Sequence, residues 1–138
     1  MKTKLIITLA IVLLIATACA GGPPSWTDQQ VVDAFQVAGL EADNSRAMTK
    51  DDYGLAPYVC TGTRFFIPSL GEDNGGRIFA CDDAKELESL ETYYTELGKS
   101  SALFFSWVYK KDNILVQING NLPEDQAKQY EAALDGLK

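Results

Sequence analysis

Histidine is absent from the 138-residue chain, and three cysteines are its side chains best suited to covalent chemistry. Without histidine there is no Ser-His-Asp or Cys-His arrangement, no His-ligated zinc site and no imidazole to carry protons near neutral pH. Carboxylates, lysine or tyrosine remain as catalytic groups, and we would expect an enzyme of that kind to use the loop 41–57. Because no catalytic motif is present, we predict a protein that is not an enzyme and that needs no cofactor.

Acidic residues are grouped at three places that resemble metal sites only superficially. The run 72–76 (Glu-Asp-Asn-Gly-Gly) offers oxygen ligands, but it lacks the alternating spacing and the distal glutamate of an EF-hand. The pair 51–52 is expected to face solvent, and the pair 82–83 is expected to cap a helix, where carboxylates favour the positive end. We therefore predict a polar hairpin loop at 72–76 and no metal site.

The first 18 residues have the layout of an export signal. Lys2 and Lys4 are followed by 14 apolar or small residues, interrupted only by two threonines. A transmembrane helix needs about 20 residues, so this run is too short to span a bilayer but suits the core of a signal peptide. It ends in Ala16-Thr17-Ala18-Cys19, and this ending resembles the lipobox of bacterial lipoproteins, although Ala16 replaces the larger aliphatic residue that is usual there.

The lipoprotein resemblance covers about the first 20 residues and implies where the protein resides. It implies removal of 1–18, a diacylglyceryl group on the sulfur of Cys19 and acylation of the new amino group. Two or three chains anchor a protein durably. The segment 19–25 would be a short tether, since seven extended residues reach only about 25 Å. The expected location is the outer face of the cytoplasmic membrane, or the outer membrane if the organism has two. The alternative is an ordinary signal peptide cut after Ala18.

Cys60 and Cys81 are the two cysteines that remain if lipid occupies Cys19. An even number of cysteines in an oxidising compartment favours a disulfide. The two residues flank a predicted hairpin, where antiparallel pairing would bring their side chains to bridging distance. We predict a structural disulfide between them, with unpaired thiols as the alternative. A redox role is disfavoured because the chain has no Cys-x-x-Cys motif.

The acidic balance of the exported part excludes one class of partner. Removing the leader takes away two lysines and leaves 10 basic against 19 acidic residues, a net charge of −9. Nucleic-acid binding requires a basic footprint, so we predict that nucleic acid is not a partner. Lipid on Cys19 is the predicted contact with the membrane, and the other partner is an unknown protein or small molecule.

Apolar periodicity and end signals predict three helices. A capping box of Thr27 and Gln30 opens a helix over 26–40. The acidic pair 82–83 precedes a second helix, and Pro123 opens a third. The segment 41–57 between the first helix and the first strand has no strong period and is predicted to be irregular, apart from a candidate helical turn after Thr49.

Four strands are predicted, in two hairpins. The first pairs 61–68 with 77–81, and the second pairs 103–110 with 113–119 through a turn at 111–112. Alternation places one set of apolar residues of the second hairpin on the core face: Phe105, Trp107, Tyr109, Ile114, Val116 and Ile118.

The order of these elements predicts an α+β fold in a single domain over 26–138. The amino-terminal helix would be followed by two strand-strand-helix units, which form a four-stranded antiparallel sheet with helices mainly on one face. The other face would then carry an exposed apolar strip, which commonly marks a partner or ligand site, unless the first helix or the long loop covers it. The residues of this predicted strip are Phe66, Phe79, Phe104, Val108 and Leu115.

The function that this sequence favours is a lipid-anchored, non-catalytic binding or interaction module of the cell envelope. One alternative is a structural or stress-related envelope protein without a small ligand. The other is a histidine-independent enzyme that uses carboxylate, lysine or tyrosine chemistry.

Overall fold

The structure is a computed structural model that describes residues 25–138. The predicted signal peptide 1–18, the lipidation site Cys19 and most of the tether 19–25 lie outside the described residues. The described elements are α1 (Asp28–Val37), β1 (Asp43–Ala47), α2 (Lys50–Tyr53), β2 (Thr61–Phe66), a 3₁₀ helix (Pro68–Leu70), β3 (Gly75–Ala80), α3 (Ala84–Ser100), a second 3₁₀ helix (Ala102–Phe104), β4 (Ser106–Lys111), β5 (Ile114–Asn119) and α4 (Glu124–Asp135).

The strands form one antiparallel sheet in the order β1-β2-β3-β5-β4. This confirms the α+β class, but the sheet has five strands rather than the predicted four. The additional strand, β1, lies within 41–57, which was predicted to be irregular. Its sequence Asp-Asn-Ser-Arg-Ala has no apolar alternation, and four of its five residues are exposed. Backbone pairing with β2, rather than burial of side chains, holds β1 at this edge.

Helices cover both faces of the sheet, so the prediction that they lie mainly on one face is wrong. On one face α1 and α4 pack over Phe65, Ile78 and Val116. On the other face, α3 and α2 pack over Phe79 and Leu115. Every residue of β5 from Ile114 to Ile118 is buried, because this strand lies between two helical layers. A run with no polar alternation is typical of such a strand.

Several local predictions are confirmed. Thr27 and Gln30 form the capping box of α1, and the Asp83 side chain accepts hydrogen bonds from the first turn of α3. Trp107 and Tyr109 lie opposite Ile118 and Val116, on the predicted core face. Alternation alone therefore predicted these two positions, but the prediction for Phe105 is wrong, because it lies outside β4 and is 42% exposed.

The second hairpin differs from the prediction in two details. Lys111 pairs with Ile114, so the turn is Asp112-Asn113, one residue later than predicted. Residues 103–105 are not part of β4, because Ser101 caps the 3₁₀ helix Ala102–Phe104 by accepting a hydrogen bond from the Leu103 N–H. Within residues 25–138, no helix has both the length and the apolar character to cross a membrane.

Candidate ligand-binding groove

A groove of about 600 Å³ opens on the α3 side of the sheet. The end of α2, the last turns of α3, the 3₁₀ helix Ala102–Phe104 and the loop after β5 surround it, and the strands form its floor. Sites for small molecules commonly have volumes of about 300–1,000 Å³. The groove is therefore large enough for a small organic ligand.

Polar side chains of three neighbouring strands lie side by side on the floor. Arg64 on β2 is paired in register with Arg77 on β3, and Arg77 is paired with Gln117 on β5. Paired residues of antiparallel strands share a face, so the register places the three side chains in one row. All three line the groove.

Arg77 is the cation of this row that is not neutralised. Its Nε donates to the backbone oxygen of Asp52 (3.0 Å), and its Nη1 donates to Oε1 of Gln117 (2.8 Å). A guanidinium carries five N–H donors, so three of them have no acceptor among the described residues. No carboxylate of the described part of the chain forms an ion pair with Arg77. The half-buried guanidinium therefore presents free donors and a full charge to the groove.

Gln117 and Tyr94 add two further donors next to this guanidinium. Since a guanidinium only donates, Gln117 turns its Oε1 to Arg77, and its Nε2 has no acceptor among the described residues. The Tyr94 hydroxyl also has no described partner, although 93% of the residue is buried. Neither atom is buried without a partner, so both reach the open space of the groove.

Tyr94 is a hydrogen-bond donor at neutral pH rather than a base or a nucleophile. Burial raises the pKa of Tyr94 to about 12, and the positive charge of Arg77 opposes this rise. The phenol therefore keeps its proton throughout the physiological range. Its hydroxyl can donate to an acceptor on a bound ligand.

Arg64, in contrast to Arg77, is already partnered. Its Nη1 lies 3.4 Å from a carboxylate oxygen of Asp52, and its Nη2 donates to the backbone oxygen of Asp73 (2.8 Å). The guanidinium also lies over the ring of Phe66, 5.0 Å from the centroid. These contacts hold the Arg64 side chain in place at the floor of the groove.

Asp52 connects Arg64 to Arg46 and to Thr49 in the loop that follows β1. Both of its carboxylate oxygens accept hydrogen bonds from Arg46 at 2.8 Å, and the Thr49 N–H and hydroxyl also donate to it. The hydrogen bonds from Arg46 are the main reason why the pKa of Asp52 lies well below its ordinary value. Asp52 is therefore ionised, and its single negative charge is shared between Arg46 and Arg64, whereas Arg77 contacts only its backbone oxygen.

The walls of the groove are aromatic, and its rim is apolar and exposed. Tyr53 comes from α2, Tyr93 comes from α3, and both line the walls. Among the described residues six large hydrophobic side chains are exposed, and four of these line the groove: Leu55 (92%), Leu103 (91%), Phe104 (57%) and Phe105 (42%). Apolar side chains concentrated around one opening mark a contact site.

The apolar strip predicted from the sequence does not exist as an exposed surface. Phe79 and Leu115 are fully buried beneath α3, and Val108 is half-buried against the same cluster. Phe66 is half-buried beside Arg64. Only Phe104 lines the groove, and it does so from a 3₁₀ helix rather than from a strand. The covering elements are α3 and, from the long loop 41–57, Tyr53 of α2 and Ala56, whereas the first helix lies on the other face.

The cysteine pair joins the two strands β2 and β3 and lies next to Tyr53, a wall residue of the groove. The Sγ atoms of Cys60 and Cys81 lie 2.01 Å apart, at disulfide distance, as the sequence predicts. The pair joins the residue before β2 to the residue after β3. The Tyr53 hydroxyl donates to the backbone oxygen of Cys60 (3.1 Å), so this wall residue is held by the same region. Among the described residues no cluster of three or more metal-ligating side chains occurs.

Sequence reasoning missed the residues that matter most in the groove, Arg77 and Gln117. Each stands between apolar or small residues within a strand, where burial on both faces is the rule. A charged or amide side chain at such a position is a signal, because a buried polar group needs a partner. No protein-family model matches the chain, and no curated protein or solved structure is detectably similar to it.

Proposed function

We propose that this protein is a lipid-anchored, non-catalytic binding protein of the bacterial cell envelope, and that it takes a small ligand into the groove. The single observation that supports this most strongly is the apolar rim, where Leu55, Leu103 and Phe104 remain exposed around a concave site. Exposed apolar side chains are costly to maintain unless they contact something. The lipobox resemblance at Cys19 supports the anchor.

The first described residues lie at the end of the sheet opposite the groove, and this position fits an anchored module whose groove faces away from the membrane. The Trp26 N–H donates to Oδ1 of Asn113 (2.7 Å), so the described chain begins beside the β4–β5 turn. The groove lies at the other end of β5, around Asn119 and Gly120. Six residues of strand span about 20 Å. The groove and the first described residues therefore lie at opposite ends of β5.

The test of ligand binding uses a neutral fluorescent probe, N-phenyl-1-naphthylamine, which brightens in apolar sites. The wild-type protein, prepared without the leader, is expected to bind it saturably at one site. Leu103→Ser is expected to weaken this binding, because it removes an apolar contact from the rim. The matched control is Val37→Ser on α1, since Val37 is 90% exposed and lies outside the groove. Equal affinity of both variants and the wild type would refute the assignment of the groove.

The test of the anchor is metabolic labelling of the expressed full chain with a radioactive fatty acid. Wild-type protein is expected to carry the label and to sediment with membranes. Cys19→Ser is expected to lose both the label and the membrane association, whereas Ser25→Ala keeps them. Label that survives the cysteine substitution would contradict lipidation at this residue.

A further inference from the structure

We infer that the ligand of the groove is a monocarboxylate with a flat apolar body, and that Arg77 is the residue that recognises its charge. This inference rests on the proposed binding function and adds the chemical class of the ligand. Its basis is three side chains that line the groove and that each keep an N–H or O–H donor without an acceptor among the described residues: Arg77 and Gln117 on the floor and Tyr94 on α3.

The balance of charge at the groove favours a ligand with one negative charge. The charged residues that line it are Arg64, Asp73 and Arg77. Arg46 and Arg64 share the single negative charge of Asp52. Asp73, whose backbone oxygen accepts from Arg64, supplies a second negative charge. Three guanidinium groups (Arg46, Arg64 and Arg77) therefore stand against two carboxylates, which leaves one net positive charge, and among the described residues Arg77 is the one of the three without an ion pair. A single carboxylate neutralises it, whereas a doubly charged phosphate would leave an excess negative charge beside a largely buried floor.

The donors suit the two oxygens of a carboxylate. The Nε of Arg77 and one hydrogen of its Nη1 are already used, so the guanidinium offers mainly Nη2. One carboxylate oxygen can accept from this Nη2, and the other can accept from Nε2 of Gln117 or from the hydroxyl of Tyr94. Hydrogen bonds to an ionised partner are stronger than hydrogen bonds between neutral groups. Because the floor is largely shielded from water, this difference contributes to the affinity. A neutral ligand of the same shape would gain much less.

The walls define the rest of the ligand. The aromatic side chains of Tyr53, Tyr93 and Phe105 line the space above the floor. Aromatic side chains gain about 0.5–1.5 kcal/mol from ring-ring geometry in addition to area burial. A flat ring system attached to the carboxylate would contact these walls and the apolar rim together.

The experiment compares two probes that differ only in charge, 2-naphthoate and 2-naphthamide, by titration calorimetry at neutral pH. The wild-type protein is expected to bind the carboxylate about 10- to 100-fold more tightly than the amide, the scale of a charged hydrogen bond. A third probe, 2-naphthyl phosphate, is expected to bind more weakly than the carboxylate. Tighter binding of the phosphate would overturn the charge argument.

Two variants locate this preference on the floor. Arg77→Gln removes the charge, and Gln117→Glu keeps the side-chain size but supplies a permanent carboxylate to Arg77. Both are expected to lower the affinity for 2-naphthoate to that for 2-naphthamide while leaving the amide affinity nearly unchanged. Lys128→Gln on α4 is the control for charge, because it is 63% exposed on the opposite side of the sheet. It is expected to bind both probes as the wild type does.

The outcomes separate this inference from the proposed function. Equal affinity for the two naphthyl compounds, or a preference that survives Gln117→Glu in a folded protein, would overturn the carboxylate assignment and leave the groove a binding site. Absence of binding for 2-naphthoate, 2-naphthamide and 2-naphthyl phosphate, together with no effect of Leu103→Ser on the binding of N-phenyl-1-naphthylamine, would overturn both the carboxylate assignment and the proposed binding function. Circular dichroism of each variant shows that its fold is intact.

Discussion

Phe79→Ala tests whether α3 covers the sheet face on which the sequence places a candidate apolar strip. The side chain of Phe79 is fully buried, and its ring lies 5.6 Å from that of Tyr53 and 5.9 Å from that of Tyr94. An exposed strip would make this substitution nearly neutral. The expected loss of stability is therefore large if Phe79 is buried beneath α3 and small if it lies in an exposed strip.

The magnitude follows from burial and from the cavity that truncation leaves. Removing a fully buried Phe side chain loses about 2–3 kcal/mol of transfer free energy. The missing ring leaves a space of about 100 Å³, and at about 24 cal/mol per Å³ this adds up to about 2 kcal/mol if the site does not collapse. We expect the free energy of unfolding to fall by about 3–5 kcal/mol, out of the 5–15 kcal/mol typical of a domain.

The assay is equilibrium unfolding in urea, followed by far-UV circular dichroism with the disulfide intact. The control is Phe104→Ala, because Phe104 is 57% exposed on the rim and its truncation is expected to cost less than about 1 kcal/mol. A loss below about 1 kcal/mol for Phe79→Ala would show that α3 does not cover this face. It would also remove one wall of the groove.

Two further predictions concern the supports of the groove. Replacing both Cys60 and Cys81 by serine is expected to cost about 3 kcal/mol, since the closed loop spans a sequence separation of 21; an unchanged thermal midpoint would contradict a bridge. Asp52→Asn is expected to cost about 1 kcal/mol at pH 7, the scale of an ion pair in which one partner, here Arg46, is exposed to solvent. Because the pKa of Asp52 is lowered in the folded state, its contribution is complete above the unfolded pKa of about 4 and is lost as the pH falls below it. The difference between wild type and variant in urea unfolding should therefore shrink from pH 5 towards pH 2, and a constant difference would refute this role.

Local signals in the sequence predicted the helix starts and the core face of the second hairpin. The capping box at Thr27, the cap at Asp83 and the alternation around Trp107 and Val116 are properties of neighbouring residues. Such features are visible without knowing the fold. For the same reason β2, β3, β4 and β5 were all predicted.

Features that depend on tertiary contacts were not predictable in this way. β1 is held by pairing with β2, and its exposed polar sequence carries no strand signal. The cover by α3 was not predicted, because alternation within one strand does not show which helix lies over Phe79 and Leu115, although the unbroken apolar run of β5 indicates burial on both faces. Leu103 and Phe104 resemble a strand start, but Ser101 caps a 3₁₀ helix there and moves both side chains to the rim of the groove.

The most direct test of the central claim, that the floor of the groove holds a ligand's anionic group, is a side-chain NMR titration. Uniformly ¹⁵N-labelled protein would be titrated with 2-naphthoate while the Arg77 Nε–H and the Gln117 Nε2 amide signals are followed. Both signals are expected to shift saturably with one dissociation constant, while the Trp26 Nε1–H, hydrogen-bonded to Asp112 at the far end of the sheet, stays in place. Signals of Arg77 and Gln117 that do not move while the probe binds elsewhere would contradict this claim.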